Sequence, residues 1–220
     1  MKPAKKLTEF ETKKILKKYG IPITREYLAK TPEEARKFAE RIGYPVALKV
    51  QSPDILHKTE AGGVLLDLKN GDEVLEGFER IMKSARRYNR KAKILGVLVQ
   101  EMVKEGHQCI VGSKKDPQFG PVLMFGLGGI FVEVFKDVSF RIIPIERKDA
   151  KEMISEIKGY EILKGVRGQK PVNFRSLEDT LLKVSKMVWK EGNIEELDIN
   201  PLFVSGKGTK AADARMVISE

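Results

Sequence analysis

Residues 46–64 read Val46-Ala-Leu-Lys49-Val50-Gln-Ser-Pro-Asp-Ile-Leu-His57-Lys-Thr-Glu-Ala-Gly62-Gly63-Val64. The first five residues alternate between large apolar side chains on one face and Ala47 and Lys49 on the other, which predicts a short β-strand. A lysine that faces inward from the middle of a strand needs an anionic partner, such as a phosphate. Taken alone, such a lysine is more often a solvated residue on an exposed face.

The rest of this stretch is a polar loop that ends in two adjacent glycines. Adjacent glycines allow positive φ and a close backbone approach, so Gly62 and Gly63 suit a phosphate cradle, but they suit an ordinary hairpin turn equally well. His57 lies in the middle of the loop. A neutral imidazole is a competent nucleophile near neutral pH and can accept a phosphoryl group, although a loop histidine is usually just solvated.

A second group of polar residues lies near the end of the sequence, in Glu195-Glu-Leu-Asp198-Ile-Asn200-Pro-Leu202 and in Ala212-Asp213-Ala214. On a strand, Asp198 and Asn200 share one face, and Asp213 on the next strand is predicted to meet Asn200 across a hairpin. One carboxylate and one amide oxygen leave room for phosphates and water around Mg²⁺. The alternative is a purely structural role, in which Asn-Pro caps the hairpin.

The remaining segments predict a single domain, residues 1–220, that mixes helices and strands. Thr8 and Thr31 are predicted N-caps of two early helices, and a longer helix at 73–90 leads to a strand at 96–102. Short strands follow at 107–112, 122–125, 132–134 and 139–143, then helices at 148–158 and, behind a Ser176 cap, at 177–190, and closing strands at 194–199 and 211–218. We predict two α+β lobes joined near Glu101: a small lobe of residues 20–100, and a larger lobe of residues 1–19 and 101–220 that carries the metal site.

The overall composition is that of a globular protein, with 220 residues of which 41% are hydrophobic. No window approaches the roughly 20 apolar residues of a membrane span, and the start has no signal-type apolar stretch, so we expect a cytoplasmic protein without a membrane partner. The single cysteine, Cys109, lies in an alternating run and is expected to serve packing. Abundant Lys, Glu and Ile favour heat adaptation.

The net charge of +10 raises the possibility of nucleic-acid binding. The densest basic run, Arg86-Arg-Tyr-Asn-Arg-Lys91, closes a predicted helix, where cations suit the negative end of the dipole. Elsewhere Lys and Glu are interspersed, and no nucleic-acid module accompanies the charge. A solvated face is therefore favoured, and no nucleic-acid partner is expected.

The common nucleotide motifs are missing. G-x-x-x-x-G-K-[ST] does not occur, and Gly126-Leu-Gly-Gly-Ile-Phe-Val is only a near miss to G-x-G-x-x-G. A P-loop or Rossmann site is therefore disfavoured. The chain nevertheless has candidates for a cation that binds phosphate, for a backbone cradle and for Mg²⁺ ligands.

A family resemblance covers nearly the whole chain. It is carried by Lys17-Lys-Tyr-Gly-Ile-Pro22, Gly43-Tyr-Pro-Val-Ala-Leu-Lys49, Ile55-Leu-His-Lys-Thr-Glu-Ala-Gly-Gly-Val64, Gln100-Glu-Met-Val103, Asp116-Pro-Gln-Phe-Gly-Pro121, Phe125-Gly-Leu-Gly-Gly-Ile-Phe-Val-Glu133 and Glu196-Leu-Asp-Ile-Asn-Pro-Leu202. In this order the motifs resemble the ATP-grasp β-subunit of ADP-forming acetyl-CoA synthetases and, more distantly, the β-subunit of succinyl-CoA synthetase. The segments around His57 and at 125–133 are specific to this branch of ATP-grasp proteins.

The resemblance implies an ATP-grasp fold of class α/β (α+β), in which two lobes sandwich ATP or ADP with Mg²⁺. Lys49 would contact the phosphates, and the hinge from Glu101 to Val103 would border the adenine through backbone groups. Asn200 and Asp213 occupy the magnesium positions of the family.

The resemblance also assigns the chemistry. His57 matches the histidine proposed to receive a phosphoryl group, and Asp198 matches a carboxylate proposed to assist it by orienting the ring. At Gln108 relatives more often carry a glutamate that contacts the nucleotide; glutamine keeps an acceptor but loses the charge, so a ribose or metal role is weaker there. The loop 164–171 is a further family feature, suited to partner contact, phosphate steering or mere surface mobility.

The implied function is that of the nucleotide-binding subunit of an ADP-forming acyl-CoA synthetase, an acid-thiol ligase. In the family's scheme, acyl-CoA and phosphate give an acyl phosphate on a separate CoA-binding α-subunit. A histidine of that subunit passes the phosphoryl group to this one, where ADP becomes ATP. Two copies of each subunit are the family expectation, and acyl specificity would belong to the α-subunit.

Two alternatives from other classes stay open at this point. One is a non-catalytic module that binds ATP and regulates a partner, although the intact set of candidate residues speaks against a degenerate site. The other is an ATP-grasp ligase that joins a carboxylate to an amine through an acyl phosphate. Such a ligase needs no histidine at position 57.

Overall fold

The computed structural model describes residues 4–55, 57–166, 168 and 170–219. The chain divides into two compact units, a large unit of residues 1–23 and 104–220 and a small unit of residues 24–103. The sequence predicts the two junctions near residues 20 and 100. Within the described residues, no helix combines the length and the hydrophobicity needed to cross a membrane.

The large unit begins with strand β1 (Ala4–Leu7) and helix α1 (Glu9–Lys18). Thr8 forms the predicted capping box: its hydroxyl accepts from the backbone N–H of Glu11 at 3.3 Å, and the Glu11 carboxylate accepts from the backbone N–H of Thr8 at 2.8 Å. These two bonds satisfy N–H groups that the first turn of a helix leaves without partners. The helix therefore begins where the sequence predicted.

The small unit is a four-stranded antiparallel sheet with two helices. Its elements are β2 (Glu26–Ala29), α2 (Pro32–Ile42), β3 (Val46–Gln51), β4 (Val64–Leu68), α3 (Gly71–Tyr88) and β5 (Gly96–Glu101), and the strand order is β2-β5-β3-β4. Val46, Leu48 and Val50 enter the core cluster together with α3, which confirms the alternation predicted for this strand. The basic pair Arg86 and Arg87 closes α3, as expected from the helix dipole.

The rest of the large unit builds a seven-stranded antiparallel sheet. Its elements are β6 (His107–Asp116), β7 (Gly120–Leu127), α4 (Ile130–Glu133), β8 (Val138–Ile142), α5 (Arg147–Glu156), α6 (Tyr160–Leu163), α7 (Phe174–Glu191), β9 (Ile194–Ser205), β10 (Gly208–Ala211) and β11 (Ala214–Ser219). The strand order is β1-β11-β9-β6-β7-β8, and β10 pairs with β9. Helices α1, α5 and α7 bury their apolar residues in one cluster against this sheet.

One predicted element of the large unit and the predicted start of one helix were wrong. The strand expected at 132–134 is instead the short helix α4, because the backbone of Gly129 is left-handed (φ 63°) and its carbonyl accepts from the N–H of Val132 at 3.1 Å, which closes a tight turn. Helix α7 begins earlier than predicted, because Asn173 is its N-cap and accepts from the backbone N–H of Ser176 at 3.0 Å. Ser176 lies inside the first turn.

The closing strands also differ from the prediction. Strand β9 was expected to end at Ile199 but continues to Ser205, because it pairs first with β11 and then with β10. The single strand expected at 211–218 is correspondingly divided into β10 and β11 by Ala212 and Asp213. The predicted metal residues, Asn200 and Asp213, lie at the point where β9 changes its pairing partner from β11 to β10.

Candidate functional site

Strand β9 presents polar side chains on the sheet face that points away from the core. Leu197 and Ile199 are 3% and 0% exposed and fill the core, whereas Asp198 is half-buried and Asn200 is exposed on the other face. This is the alternation that the sequence predicted. It leaves the carboxylate and the amide on the same side of the sheet.

Asn200 and Asp213 meet where β9 changes partner. The backbone N–H of Asn200 donates to the carbonyl of Asp213 at 3.1 Å, and the N–H of Ala212 donates to the carbonyl of Pro201 at 3.0 Å. The predicted meeting of Asn200 and Asp213 is confirmed for their backbones. Asn200 and Pro201 lie inside β9, so the alternative in which Asn-Pro caps a hairpin is wrong.

This position in β9 is also a β-bulge. Cys109 pairs with Leu202 and Val111 pairs with Ile199, so β9 contains one residue more than the facing part of β6. Bulges redirect side chains and are frequent beside functional sites. The extra residue lies at Asn200-Pro201, next to Asp213.

The donor types at this position suit Mg²⁺, which prefers carboxylate and amide oxygens and retains water and phosphate ligands. Among the described residues, no group of three or more His, Cys, Asp or Glu side chains could hold a metal ion. Both observations are consistent with a cation that is held mainly by the phosphates of a ligand and by water, with Asn200 and Asp213 as its protein donors.

Asp198 faces a partner that the sequence analysis missed. Arg215 lies directly opposite on β11, and its guanidinium donates to the Asp198 carboxylate at 3.3 Å. Burial raises the pKa of Asp198 above the usual range, and the charge of Arg215 opposes this shift. Ala214 and Met216 are buried and Arg215 between them is exposed. This alternation of apolar and polar residues was the sequence signal that could have placed Arg215 on the outer face of the sheet.

Gln108 lies at the start of β6, and its side chain is exposed. It is paired with Phe203 of β9, and its carbonyl accepts from the N–H of Gly128 at 2.7 Å. Its strand neighbour Cys109 is in the core, so the side chain of Gln108 lies on the opposite face, the face of Asp198. Lys210 of β10 is also paired with Phe203 and shares this face.

Cys109 itself is buried in the core of the large unit. It is 0% exposed, and burial raises the pKa of its thiol to about 12. The thiolate, which is the reactive form, is therefore scarce at neutral pH. The predicted packing role is confirmed.

Lys49 lies in the middle of β3 in the small unit. It is paired with Leu98 on one side and Val64 on the other, and it is only 8% exposed. The alternative of a solvated lysine on an exposed face is therefore wrong. A buried ammonium group requires compensating negative charge, which makes this position suitable for phosphate.

The loop that carries His57 is closed at its base by hydrogen bonds. The N–H of Val50 donates to the carbonyl of Gly63 at 2.8 Å, and the N–H of Gly63 donates to the carbonyl of Lys58 at 2.7 Å. The side chain of His57 is 65% exposed, and its Nδ1 lies 3.7 Å from a carboxylate oxygen of Glu60. The imidazole is thus presented to solvent from a structured loop.

Both glycines of this loop have structural reasons to be glycine. Gly62 has a left-handed backbone (φ 64°), and a Cβ on Gly63 would lie 2.4 Å from Cγ1 of the buried Val50. These constraints favour the turn alternative for the glycine pair. Their role as a phosphate cradle stays a prediction.

Glu101 ends strand β5 and is tied to Arg25. Its two carboxylate oxygens accept from the backbone N–H and the Nε–H of Arg25 at 2.9 and 2.8 Å. Its own N–H donates to the carbonyl of Arg25 at 3.0 Å. That N–H is therefore engaged within the small unit, whereas Val103 follows the strand as a half-buried residue outside regular structure.

The predicted residues thus fall into two groups. Lys49, His57, Gly62, Gly63, Glu101 and Val103 belong to the small unit, and Gln108, Asp198, Asn200 and Asp213 belong to the large unit. The loop predicted at 164–171 includes Arg167 and Gln169, which lie outside the described residues.

The two α+β units and the sites described above define the class of the protein. The ATP-grasp domain family matches residues 2–218, and the chain belongs to this family. More particularly, the chain is 51% identical over 215 residues to the acetate–CoA ligase [ADP-forming] II subunit beta of Pyrococcus furiosus, an alignment that covers 96% of this chain and 91% of that subunit. The predicted fold class and family resemblance are confirmed.

Two further relatives widen the comparison. The 4-hydroxybutyrate–CoA ligase [ADP-forming] of Nitrosopumilus maritimus is 48% identical over 96% of this chain, which corresponds to 30% of that longer protein. A structure of acetyl-coenzyme A synthetase 1 from Ca. Korarchaeum cryptofilum superposes with a TM-score of 0.85 at 41% identity, covering 97% of this chain and 93% of that one. That protein is in complex with coenzyme A and Mg-AMPPCP, with its phosphohistidine segment pointing towards the nucleotide-binding site.

Proposed function

We propose that the chain is the nucleotide-binding subunit of an ADP-forming acyl-CoA synthetase and transfers a phosphoryl group reversibly between ATP and His57. The observation that carries the proposal is the exposed imidazole of His57 on a loop whose base is fixed by backbone hydrogen bonds. Phosphoryl transfer requires little of a protein beyond positioning and charge neutralisation. The Korarchaeum protein has a phosphohistidine segment, which supports this role for the loop.

His57 would act as the nucleophile. Its Nδ1 lies 3.7 Å from Glu60, beyond hydrogen-bond distance, and a ring nitrogen of the neutral imidazole would attack the phosphorus. An N–P bond to the γ-phosphoryl group forms as the bond between this phosphorus and the oxygen of ADP breaks. The reverse step, attack of ADP on phosphorylated His57, gives ATP.

Residues of the small unit would bind the nucleotide. The ammonium of Lys49, a residue that is 8% exposed, would neutralise phosphate charge. Adenine offers an amine donor and a ring-nitrogen acceptor at its edge. Because the N–H of Glu101 is engaged by Arg25, we assign the donor toward adenine to the backbone of Val103. The backbone N–H groups of Gly62 and Gly63 donate to the carbonyls of Thr59 and Lys58 at 3.0 and 2.7 Å, so the role of this pair would be to form the turn.

Residues of the large unit would hold Mg²⁺ and assist. Asn200 and Asp213 would provide its protein ligands, and the ion, when bound, would neutralise charge on the phosphates. The exposed amide of Gln108 is suited to a ribose hydroxyl. Asp198, paired with Arg215, keeps the role predicted for it, which is to orient and stabilise phosphorylated His57.

The partner would be a CoA-binding α-subunit. The Pyrococcus relative is a subunit by name, and the Nitrosopumilus relative contains the matching region within a longer ligase. Both observations support a reaction that this region completes together with further protein. An assembly of two copies of each subunit and a heat-stable fold belong to the same proposal.

The test combines the purified chain with a candidate α-subunit, acetyl-CoA, ADP, phosphate and Mg²⁺, and measures ATP formation. His57→Ala should abolish ATP formation, while ADP binding persists. His107→Ala is the matched control, because His107 is the only other histidine, lies half-buried at the start of β6 and should leave synthesis near the wild-type rate. Synthesis that survives His57→Ala would refute the histidine step. Inactivity with every acyl-CoA, combined with Mg²⁺-dependent ADP binding, would favour the regulatory module.

A further inference from the structure

Lys13 is a completely buried lysine on helix α1. It is 0% exposed, and its ammonium group lies 3.0 Å from a carboxylate oxygen of Glu9, one turn earlier on the same helix. The same ammonium donates to the backbone carbonyl of Ala212 at 2.8 Å. Buried ion pairs contribute little net stability compared with apolar packing, so stability alone is a poor explanation for this arrangement.

The carbonyl that Lys13 binds belongs to the connection between β10 and β11. Ala212 directly precedes Asp213, and the N–H of Ala212 donates to the carbonyl of Pro201 at 3.0 Å. The carbonyl of Asp213 accepts from the N–H of Asn200 at 3.1 Å. The backbone at both proposed Mg²⁺ ligands is therefore held by bonds with β9 and by a side chain from α1.

We propose that Lys13 is a positioning residue for the Mg²⁺ site: its bond to the carbonyl of Ala212 fixes the backbone from which Asp213 projects toward the ion. The inference rests on the proposed function of Asn200 and Asp213 as Mg²⁺ ligands. Glu9 neutralises the buried charge of Lys13. The bond that matters for the ion is the one to Ala212, because it ties helix α1 to the connection.

The main test replaces the pair with apolar residues in the variant Glu9→Leu/Lys13→Met. This change removes both buried charges together, which commonly preserves stability, and it removes the bond to Ala212. A second variant, Glu9→Gln/Lys13→Gln, retains two mutually compatible polar side chains, but the glutamine side chain that replaces lysine is shorter and falls short of the Ala212 carbonyl. This second variant also tests the loss of the bond to Ala212, and it replaces the first if the apolar variant fails to fold.

Two single variants serve as matched controls. Glu9→Gln removes the carboxylate but leaves Lys13 as donor to Ala212. Tyr19→Phe removes the bond between the Tyr19 hydroxyl and Glu191, which measures 2.8 Å at the far end of the same helix. Both variants are expected to change stability without changing the dependence of ADP binding on Mg²⁺.

Two readouts are independent of enzyme activity. One is the Mg²⁺ concentration at half-saturation of ADP binding in calorimetric titrations. The other is hydrogen exchange of the backbone N–H groups of Ala212 and Asn200 in the ligand-free protein. In the double variants we expect about a tenfold higher Mg²⁺ requirement, equivalent to about 1.4 kcal/mol, and faster exchange at both N–H groups.

Each outcome either supports or overturns the positioning role of Lys13. A folded double variant with wild-type Mg²⁺ dependence and wild-type exchange would overturn the positioning role, as would an equal change in Tyr19→Phe. If ADP binding by the wild-type chain is independent of Mg²⁺, the proposed Mg²⁺ site fails, and the positioning role fails with it. A change confined to the double variants, with Glu9→Gln near wild type, would establish Lys13 as the positioning residue.

Discussion

Replacing Gly63 by alanine should destabilise the small unit and disturb the loop that presents His57. The added Cβ would lie 2.4 Å from Cγ1 of Val50 and 3.1 Å from the carbonyl oxygen of Lys58. Val50 is 0% exposed and β-branched, so its side chain has little freedom to move away. The backbone of the loop must therefore shift, and the 2.7 Å bond from Gly63 to Lys58 must lengthen.

The magnitude follows from two opposing contributions. Overpacking of a well-packed core costs about 1–3 kcal/mol, whereas glycine-to-alanine replacement stabilises by about 0.4–1 kcal/mol through the unfolded chain. Gly63 does not have a left-handed backbone, so no strain from φ is added. We expect Gly63→Ala to lower the free energy of unfolding by about 1–2 kcal/mol in denaturant titrations.

Gly206→Ala is the matched control for this prediction. It makes the same substitution in the turn after β9, where a new Cβ would meet only the carbonyl oxygen of Pro171, at 3.6 Å. Its stability should stay within about 0.5 kcal/mol of wild type. We also expect Gly63→Ala to slow phosphorylation of His57 while leaving ADP affinity near wild type. Equal stabilities for the two variants would refute the argument from the Val50 contact.

Two further substitutions test electrostatic features of the large unit. Burial raises the pKa of Asp198, so the folded protein binds this proton more tightly than the unfolded chain does, and the ionised residue costs stability once the pH exceeds its unfolded pKa. Asp198→Asn should therefore raise the melting temperature at pH 7 but not at pH 3. A larger gain at pH 3 than at pH 7 would contradict this direction. Asp137 is 5% exposed and accepts from the backbone N–H groups of Lys158 and Gly159 at 2.6 and 2.7 Å. Asp137→Asn should lower the free energy of unfolding by about 1.5–3 kcal/mol in denaturant titrations, and a loss below about 0.5 kcal/mol would show that these bonds contribute little.

Elements with local signals were predictable from the sequence. The capping box at Thr8 and the alternation around Lys49 each lie within a few residues, and the structure has them where the sequence indicated. The alternation of Asp198 and Asn200 against buried neighbours was equally visible. In these cases the periodicity of one strand, or the first turn of one helix, is sufficient for the prediction.

The features that escaped prediction depend on partners distant in sequence. Strand β9 looked complete at Ile199 because Asn-Pro resembles a strand end, and only pairing with β10 carries it to Ser205. Arg215 was recognisable as polar, but its importance comes from lying opposite Asp198 on the neighbouring strand. Tertiary pairing of this kind has no local signature.

Lys13 is the clearest example. A lysine in a helix rich in lysine and glutamate reads as solvent-exposed, yet this one contacts a residue 199 positions away. The initial segment pairs β1 with β11, and the N–H of Ala211 donates to the carbonyl of Pro22 at 2.9 Å. These contacts flank both sides of the connection at Ala212. The contacts of Lys13, β1 and Pro22 therefore complete the backbone support of the proposed Mg²⁺ ligands, so removing the Lys13 bond should alter Mg²⁺ dependence while the nucleotide-contacting residues remain intact.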